Sequence, residues 1–425
     1  MSIISNYLYG WNHLEPVLIG TLSQGMNVLM LGSHGCGKSL FSKFVSLAVG
    51  ENKDNFKFIK YSMDKENLLS MVGCPNPESM KQGRITYATH ERSIFNADVV
   101  MLDELTRASK ENQNMVLEML EERTIFGMPL KYQFAIATAN EDTYRGAYKL
   151  DAALLDRFVV VLPVPSVESR ENLLGAEEIR EMIKLNQGFR ESHIDDTNKS
   201  LVDTMTKVRQ TYKELWFNDK IRENVNDFAA KFFSSLLVNM REHNKSGVSK
   251  DGQIKISFRQ ISNHFVPLTF AISSYYKAIK DDIDYLQNGA WEAIKYSIST
   301  KLGFPADKLR PHFDQLKDLL IDGDSLLTKV SIAVTTGSLQ SRVTAFEKYA
   351  SVIKEQFEYA DKTNIIGGML AEVREDNNED TIEIIKLSDI LEQDKINEQG
   401  EYMIKLRLFN SALKAGVLKQ AASFF

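Results

Sequence analysis

The 425-residue chain lacks the features that would mark it as secreted, membrane-spanning or rich in metal ligands. Its only two cysteines, Cys36 and Cys74, lie far apart, which argues against a disulfide framework and a cysteine-rich zinc site. Residues 1–12 contain no basic segment typical of a signal peptide, and no apolar run approaches the ~18 residues that a transmembrane helix needs. We therefore expect a cytoplasmic protein without a membrane span.

The charge balance and the histidines give no further binding signal. A net charge of −6 provides no electrostatic footprint for extensive nucleic-acid binding. The seven histidines show no spacing that is typical of a metal site. By contrast, 43% of the residues are hydrophobic, which is enough for large cores, and the length predicts two or three domains.

The most informative segment is 32–39, GSHGCGKS, which follows the apolar run 28–31 and matches the pattern G-x-x-x-x-G-K-[ST]. Glycines let backbone N–H groups surround phosphates, a lysine supplies a mobile cation, and a hydroxyl can bind Mg²⁺. We therefore predict a nucleotide-binding loop with Lys38 on the β- and γ-phosphates and Ser39 on Mg²⁺. The predicted binding residues are Gly32, Ser33, His34, Gly35, Cys36, Gly37, Lys38, Ser39 and Leu40.

Polar residues also end two later apolar runs. Asp103 and Glu104 close the run 97–102, where Asp103 could bind Mg²⁺ and Glu104 could polarise an attacking water. Asn140 ends the run 134–139 and could orient that water, touch the γ-phosphate or simply form a turn. The pair of carboxylates predicts hydrolysis of the nucleotide.

Two arginines complete the candidate site. Arg157 precedes the apolar strand 159–162, and Arg259 lies at a predicted helix start with Ser257 as its cap. Arg157 could stabilise transition-state charge on a neighbouring subunit's nucleotide. Either arginine could instead form a surface salt bridge.

Together these features resemble the AAA+ ATPases, and among them the MoxR-like family, over about residues 14–285. The order of several short stretches is specific to that family, which carries a hairpin insert in its second helix, here at about 73–89. Those stretches are 68–73, 83–87, 93–98, 102–108 and 117–123. The chain departs from the family at Ser33, His34, Cys36 and Phe258, without losing a group that the chemistry needs.

The resemblance implies a role for each candidate residue. Lys38 and Ser39 would belong to Walker A, Asp103 and Glu104 to Walker B, Asn140 would be sensor 1, Arg157 the arginine finger and Arg259 sensor 2. It also implies ATP and Mg²⁺ as cofactors and a homo-oligomeric, hexameric ring. A separate protein partner is implied too, in this family often one with a von Willebrand A domain.

The predicted fold class is α/β, a P-loop αβα sandwich with a parallel sheet. Strands are expected near 27–31, 56–61, 97–103, 132–139 and 158–163. This core would span residues 1–165, followed by an α-helical lid at 166–300 and a mainly helical accessory region at 301–425.

Three local predictions accompany this division. A helix capped by Ser109 should bury Val116, Met119 and Leu120. Spacings of three and four predict a long amphipathic helix at about 339–357, and the acidic run 374–380 is expected to be a solvated loop. A loop between lid helices is expected at 246–252.

Three functions are compatible with the sequence. The first is an ATP-hydrolysing ring that remodels or activates a protein partner. The second is a GTP- or ATP-driven nucleic-acid motor subunit of a defence or restriction system, and the third is a signalling switch. Nucleotide preference and stimulation by DNA separate the first two, and turnover too slow to drive work favours the third.

Overall fold

The computed structural model describes most of the first three quarters of the chain and a short part of the remainder. The described residues are 4, 8, 10–33, 35–50, 55–140, 150, 152–164, 180, 194–245, 256–302, 304–320, 322, 372–376 and 379–383. His34, the predicted loop 246–252 and the predicted helix 339–357 lie outside the described residues. Two compact units divide the chain, Met1–Leu320 and Ile321–Phe425.

A five-stranded parallel sheet forms the centre of the first unit. The strands of this unit are β1 (Val28–Leu31), β2 (Phe58–Ser62), β3 (Cys74–Pro75), β4 (Tyr87–Ala88), β5 (Val99–Asp103), β6 (Thr124–Ile125), β7 (Met128–Pro129), β8 (Phe134–Ala139) and β9 (Val160–Pro163). The sheet order is β2-β5-β8-β1-β9. Its central strands are almost wholly buried and apolar, as expected where both faces are covered. The predicted α/β fold and all five predicted strands are confirmed.

Helices alternate with these strands. They are α1 (Glu15–Ser23), α2 (Lys38–Gly50), α3 (Leu68–Met71), α4 (Pro77–Lys81), α5 (Lys110–Glu122) and α6 (Ala152–Leu155), with 3₁₀ turns at Asn12–Leu14, Ile94–Asn96 and Leu105–Arg107. Helix α5 begins as predicted, because Oγ of Ser109 accepts a hydrogen bond from the Asn112 N–H at 3.2 Å. Val116, Met119 and Leu120 on this helix are buried, which confirms the predicted core face.

The predicted hairpin insert is present between α3 and β5. Strands β3 and β4 pair antiparallel, with Cys74 opposite Ala88, and α4 lies between them. A second hairpin, β6 and β7, follows α5. The Tyr87 ring of the insert stacks on Phe126 of the second hairpin with 5.6 Å between ring centroids, so the two hairpins are in contact.

Within the first unit, the described part after the sheet is helical, as predicted for the lid. Its helices are α7 (Ile194–Trp216), α8 (Asp219–Lys245), α9 (Val266–Lys280), α10 (Tyr285–Ala293), α11 (Thr300–Leu302) and α12 (Ala306–Leu316), followed by a 3₁₀ turn at Lys317–Leu319. Segments Gln260–Phe265 and Ile294–Ser299 are π-helical. Phe313 of α12 packs on Phe228 of α8 at 5.8 Å between centroids, so α12 lies with the lid helices although it follows residue 300. Among the described residues, no helix is long and apolar enough to cross a membrane.

Helix α1 packs tightly against α9 of the lid. The buried Glu15 carboxylate accepts hydrogen bonds from the Ile4 N–H at 2.9 Å and from the Tyr275 hydroxyl. A Cβ atom on Gly20 would lie only 2.7 Å from the Ala271 carbonyl oxygen, so the two helices approach at a distance that only glycine allows.

Two arginines hold the backbone where α1 ends. The Ser23 carbonyl accepts a hydrogen bond from Nε of Arg209 in α7 at 2.9 Å. The Gly25 carbonyl accepts one from Nη2 of Arg123, just after α5, also at 2.9 Å. The chain is therefore bound to the lid at Ser23 and to the sheet-containing part at Gly25.

The second unit is described only at one antiparallel hairpin. Its strands, β10 (Glu372–Asp376) and β11 (Glu379–Glu383), pair Val373 with Ile382 and Arg374 with Thr381. The predicted solvated loop at 374–380 was therefore wrong. The prediction rested on the acidic residues and did not consider the β-branched residues on either side of them. Val373 and Ile382 lie opposite each other across the hairpin.

Candidate functional site

The glycine-rich loop connects β1 to α2 at the carboxyl edge of the sheet. The Gly32 N–H donates to the Ala139 carbonyl at 3.2 Å, so the loop begins beside the end of β8. Gly35 and Gly37 have φ angles of 79° and 94°, a left-handed conformation that favours glycine. These glycines give the loop the curved backbone that a phosphate-binding loop requires.

The Lys38 side chain is folded back onto this loop. Its Nζ donates to the carbonyl oxygens of Gly32 at 2.6 Å and Ser33 at 2.7 Å, and it lies 3.4 Å from Sγ of Cys36. The side chain is buried. An arriving phosphate would offer oxygens of higher charge than these carbonyls, so Lys38 is placed to exchange one set of acceptors for the other.

Asp103 ends β5 and is held by two neighbours. Nζ of Lys60, on β2, lies 2.5 Å from Oδ2, and the Thr138 hydroxyl donates to Oδ1 at 2.6 Å. Burial raises the pKa of Asp103, but the hydrogen bonds from Lys60 and Thr138 and the charges of Lys60 and Lys38 outweigh it. The pKa is therefore below its ordinary value, and Asp103 is a carboxylate at neutral pH.

The donor set at this edge suits Mg²⁺ when phosphates complete it. Asp103 supplies a charged oxygen, and Ser39 supplies a hydroxyl in the first turn of α2. Mg²⁺ usually takes one or two protein oxygens and fills its other positions with water and substrate phosphates. Within the described ranges, no group of three or more His, Cys, Asp or Glu residues could hold a metal alone.

Glu104 follows Asp103 with a left-handed backbone, at a φ of 56°. Such a conformation is uncommon outside glycine and costs free energy, and strained residues of this kind are enriched at functional sites. The Glu104 N–H donates to Oγ1 of Thr138 at 3.0 Å, and its Oε2 lies 3.2 Å from Nη1 of Arg107. Thr138 thus holds both acidic residues, and the buried Asn140 follows it at the end of the same strand.

The two candidate arginines meet on one carboxylate. Nε and Nη2 of Arg157 lie 2.6 and 2.5 Å from Oε2 of Glu121, and Nη2 of Arg259 donates to Oε1 of the same residue. Arg157 also lies 3.5 Å from Asp156. The predicted helix start at Arg259 is confirmed, because Ser257 and Gln260 exchange hydrogen bonds as a capping box. Within a single chain, both arginines therefore form salt bridges.

Further positive charge lies beside this cluster. Nζ of Lys301 is 2.9 Å from Nδ1 of His264. Burial, then the charges of Lys301, Arg259 and Arg157, lower the pKa of His264 to about 3. Burial also lowers the pKa of Lys301 to about 7, against the attraction of Asp156. The imidazole is therefore neutral at physiological pH.

Sequence reasoning missed four residues that hold the candidate groups: Lys60, Thr138, Arg107 and Glu121. Thr138 had a signal, because it lies two positions before Asn140 in a strand that ends at the site. Lys60 and Glu121 had none, since their contacts depend on which strands and helices become neighbours.

Comparison with known proteins shows what part of the chain is similar to. Residues 27–158 match the model of the AAA domain, dynein-related subfamily. Chaperone MoxR1 of Mycobacterium tuberculosis is 29% identical over 169 residues, which cover 38% of this chain and 42% of that protein. The uncharacterized protein YeaC of Bacillus subtilis is 26% identical over 183 residues, or 41% of this chain and 54% of that protein. The chain thus spans about half the length of these two relatives.

A solved structure from Cytophaga hutchinsonii, named provisionally as an ATPase, also aligns with the chain. It covers 68% of this chain and 82% of its own, at 13% sequence identity and a TM-score of 0.42.

Proposed function

We propose that the chain hydrolyses ATP and uses the hydrolysis to remodel or activate a protein partner, which is supported by the match of residues 27–158 to an AAA domain and by the similarity to a MoxR chaperone. The observation that carries the proposal is the meeting of Lys38, Asp103 and Glu104 at one edge of the sheet. The charge of Lys38 contributes to the lowered pKa of Asp103. The cation proposed to bind phosphates and the carboxylate proposed to bind the metal are therefore close enough to interact.

Each residue of this group has a distinct role in the proposed reaction. Lys38 leaves the loop carbonyls and binds the β- and γ-phosphates. Glu104, fixed by Thr138 and Arg107, accepts a proton from the attacking water. Asn140 orients that water or contacts the γ-phosphate.

Asp103 and Ser39 would hold Mg²⁺ in this proposal. The ion supplies positive charge that neutralises the phosphates and the charge that develops on them during transfer. The two protein oxygens fix its position relative to the water that Glu104 activates. The low pKa of Asp103 keeps this ligand charged without a change of pH.

Arg157 would complete the site of a neighbouring subunit, which makes a ring the working assembly. Arginine fingers act on a nucleotide that another subunit binds, where they stabilise transition-state charge. In such an assembly, Arg157 and Arg259 would contact phosphate oxygens. We propose a homo-oligomeric ring on this basis, with six subunits as the family resemblance suggests.

The partner is proposed to be a separate protein. A relative that carries the name chaperone supports a remodelling role. A partner with a von Willebrand A domain is the kind that the family resemblance suggests. The alternative of a nucleic-acid motor has no observation of its own in its favour, since the net charge of −6 gives no basic footprint.

The proposal is tested by turnover of ATP and GTP by the purified chain, with and without DNA, followed by capture of partners on a Glu104→Gln variant. We expect ATP turnover that DNA does not stimulate, and a protein that is retained only when ATP is present. Preference for GTP together with stimulation by DNA would support the motor instead. Turnover of neither nucleotide would overturn the proposal.

A further inference from the structure

We propose that Glu121 is a positioning residue, whose carboxylate holds the guanidinium groups of Arg157 and Arg259 in one arrangement for contact with nucleotide phosphates. The inference rests on the proposed function, because it concerns how the two arginines are prepared for catalysis. Glu121 lies in the stretch 117–123, which resembles the family.

The geometry of the contact is specific. Arg157 directs its Nε and Nη2 edge to one carboxylate oxygen, at 2.6 and 2.5 Å, while Arg259 uses the other oxygen. A single acidic side chain thus fixes two arginines that are more than a hundred residues apart in the sequence. A carboxylate with its two oxygens can accept from two guanidinium groups at once, which a neutral amide oxygen cannot do equally well.

The surroundings explain why a negative charge is needed there. Arg157, Arg259 and Lys301 all lie close enough to His264 to lower its pKa by their charge, after the larger effect of burial. Without Glu121, the two arginines would repel each other. Among the described contacts of Arg157, the acidic group that remained would be Asp156 at 3.5 Å. The hydrogen bond from Arg259 contributes most to a lowered pKa of Glu121, against partial burial, so the carboxylate stays charged.

The arrangement leaves donors for a phosphate. Nη1 of Arg259 is buried and has no hydrogen-bond partner within the described part of the chain. The Arg157 side chain is 16% exposed and that of Arg259 33%, so part of each reaches the surface, and a small turn of the Arg259 guanidinium would present Nη1 to a phosphate. Arginine side chains lose rotamer freedom when they bind, and a carboxylate that fixes them beforehand removes that cost from the catalytic step.

The test compares steady-state ATP turnover of Glu121→Ala and Glu121→Gln with the wild type. If Glu121 positions the arginines, Glu121→Ala should lower kcat by about 10- to 100-fold, because the interaction matters in the transition state. KM should change by no more than about threefold. Glu121→Gln should lose less, since its amide oxygen can still accept from one arginine. Glu122→Ala is the matched control, because Glu122 is the adjacent exposed glutamate of the same helix.

A double-mutant cycle separates positioning from a general effect on folding. Glu121→Ala is added to a chain that already carries Arg157→Ala and Arg259→Ala, where it should have no further effect on kcat. The same fold loss in both backgrounds, or wild-type kcat for Glu121→Ala, would overturn the inference while leaving an active ATPase. A wild-type chain without turnover would overturn the proposed function and the inference together.

Discussion

The ammonium nitrogen of Lys60 lies 2.5 Å from Oδ2 of Asp103, the carboxylate that we propose as a Mg²⁺ ligand. The Thr138 hydroxyl occupies the other oxygen at 2.6 Å. Both oxygens of the proposed ligand are therefore engaged by the protein itself. A metal that arrives with the nucleotide must compete with a lysine for the same negative charge.

This competition predicts the effect of Lys60→Met. Without the ammonium group, Asp103 should be more available, so the Mg²⁺ concentration for half-maximal ATP turnover should fall several-fold. Titration of Mg²⁺ at saturating ATP measures the effect. Lys65→Met is the control, because Lys65 is an exposed lysine shortly after the same strand. A higher Mg²⁺ requirement in Lys60→Met would mean that Lys60 supports the site and does not compete with the metal.

Lys38 and Glu104 should be separable by their effects on binding. Lys38→Ala should lose nucleotide binding or turnover by orders of magnitude, because Lys38 is the loop cation proposed to neutralise charge on the β- and γ-phosphates. Glu104→Gln should keep Asp103 and the loop, and so hold ATP without hydrolysing it. Binding of a fluorescent ATP analogue and single-turnover hydrolysis distinguish the two variants. Robust turnover by Glu104→Gln would show that another residue is the base.

Mixed assemblies test whether Arg157 acts on a neighbouring subunit. Arg157→Ala should bind ATP but hydrolyse it about 10²- to 10⁴-fold more slowly, because the arginine meets charge that develops in the transition state. When Arg157→Ala and Glu104→Gln subunits are mixed, some interfaces combine an intact Glu104 with an intact Arg157. Turnover should then reappear. A mixture that co-assembles by pull-down yet stays inactive would contradict action between subunits.

Lys301 should make stability depend on pH. The pKa of Lys301 is about 7 in the folded chain, against an ordinary value of 10.5 that applies to the unfolded chain. Between pH 7 and pH 10.5, Lys301 is therefore protonated in more of the unfolded chains than of the folded chains. The free energy of unfolding should therefore rise with pH across this window, and the cost of the buried lysine is largest at pH 7 and below. Lys301→Met should lack this rise, as urea unfolding at about pH 7 and pH 9 would show. The exposed Lys308→Met should keep the wild-type slope.

The sequence contained the main chemistry of the site because that chemistry is local. The spacing of Gly32 to Ser39 defines a loop by itself, and Asp103 and Glu104 end a short apolar run that is typical of a buried strand. Parallel strands share one carboxyl edge, so these groups had to meet once the strands were correct. The same reasoning found Ser109 and Ser257, whose caps depend on residues three positions away.

The remaining contacts depend on pairs of elements that no local pattern identifies. Lys60 reaches Asp103 because β2 pairs with β5, and a lysine on a strand otherwise looks like an exposed residue. Glu121 is one of several glutamates near the end of α5, and only the folded chain brings it between two arginines. The prediction of a loop at 374–380 was wrong because it rested on the acidic composition of that run. The described residues there form a hairpin.

The backbone at the end of α1 has a mechanical consequence. Ser23 is bound to the lid through Arg209, and two residues later Gly25 is bound to the sheet-containing part through Arg123. With Gly20 against Ala271 and Glu15 bonded to Tyr275, α1 would travel with the lid in any rigid-body rotation. Such a rotation would have a hinge at Gln24, between these two contacts. A movement of the lid would then be transmitted through α1 to the amino end of β1, opposite the end that carries the glycine-rich loop.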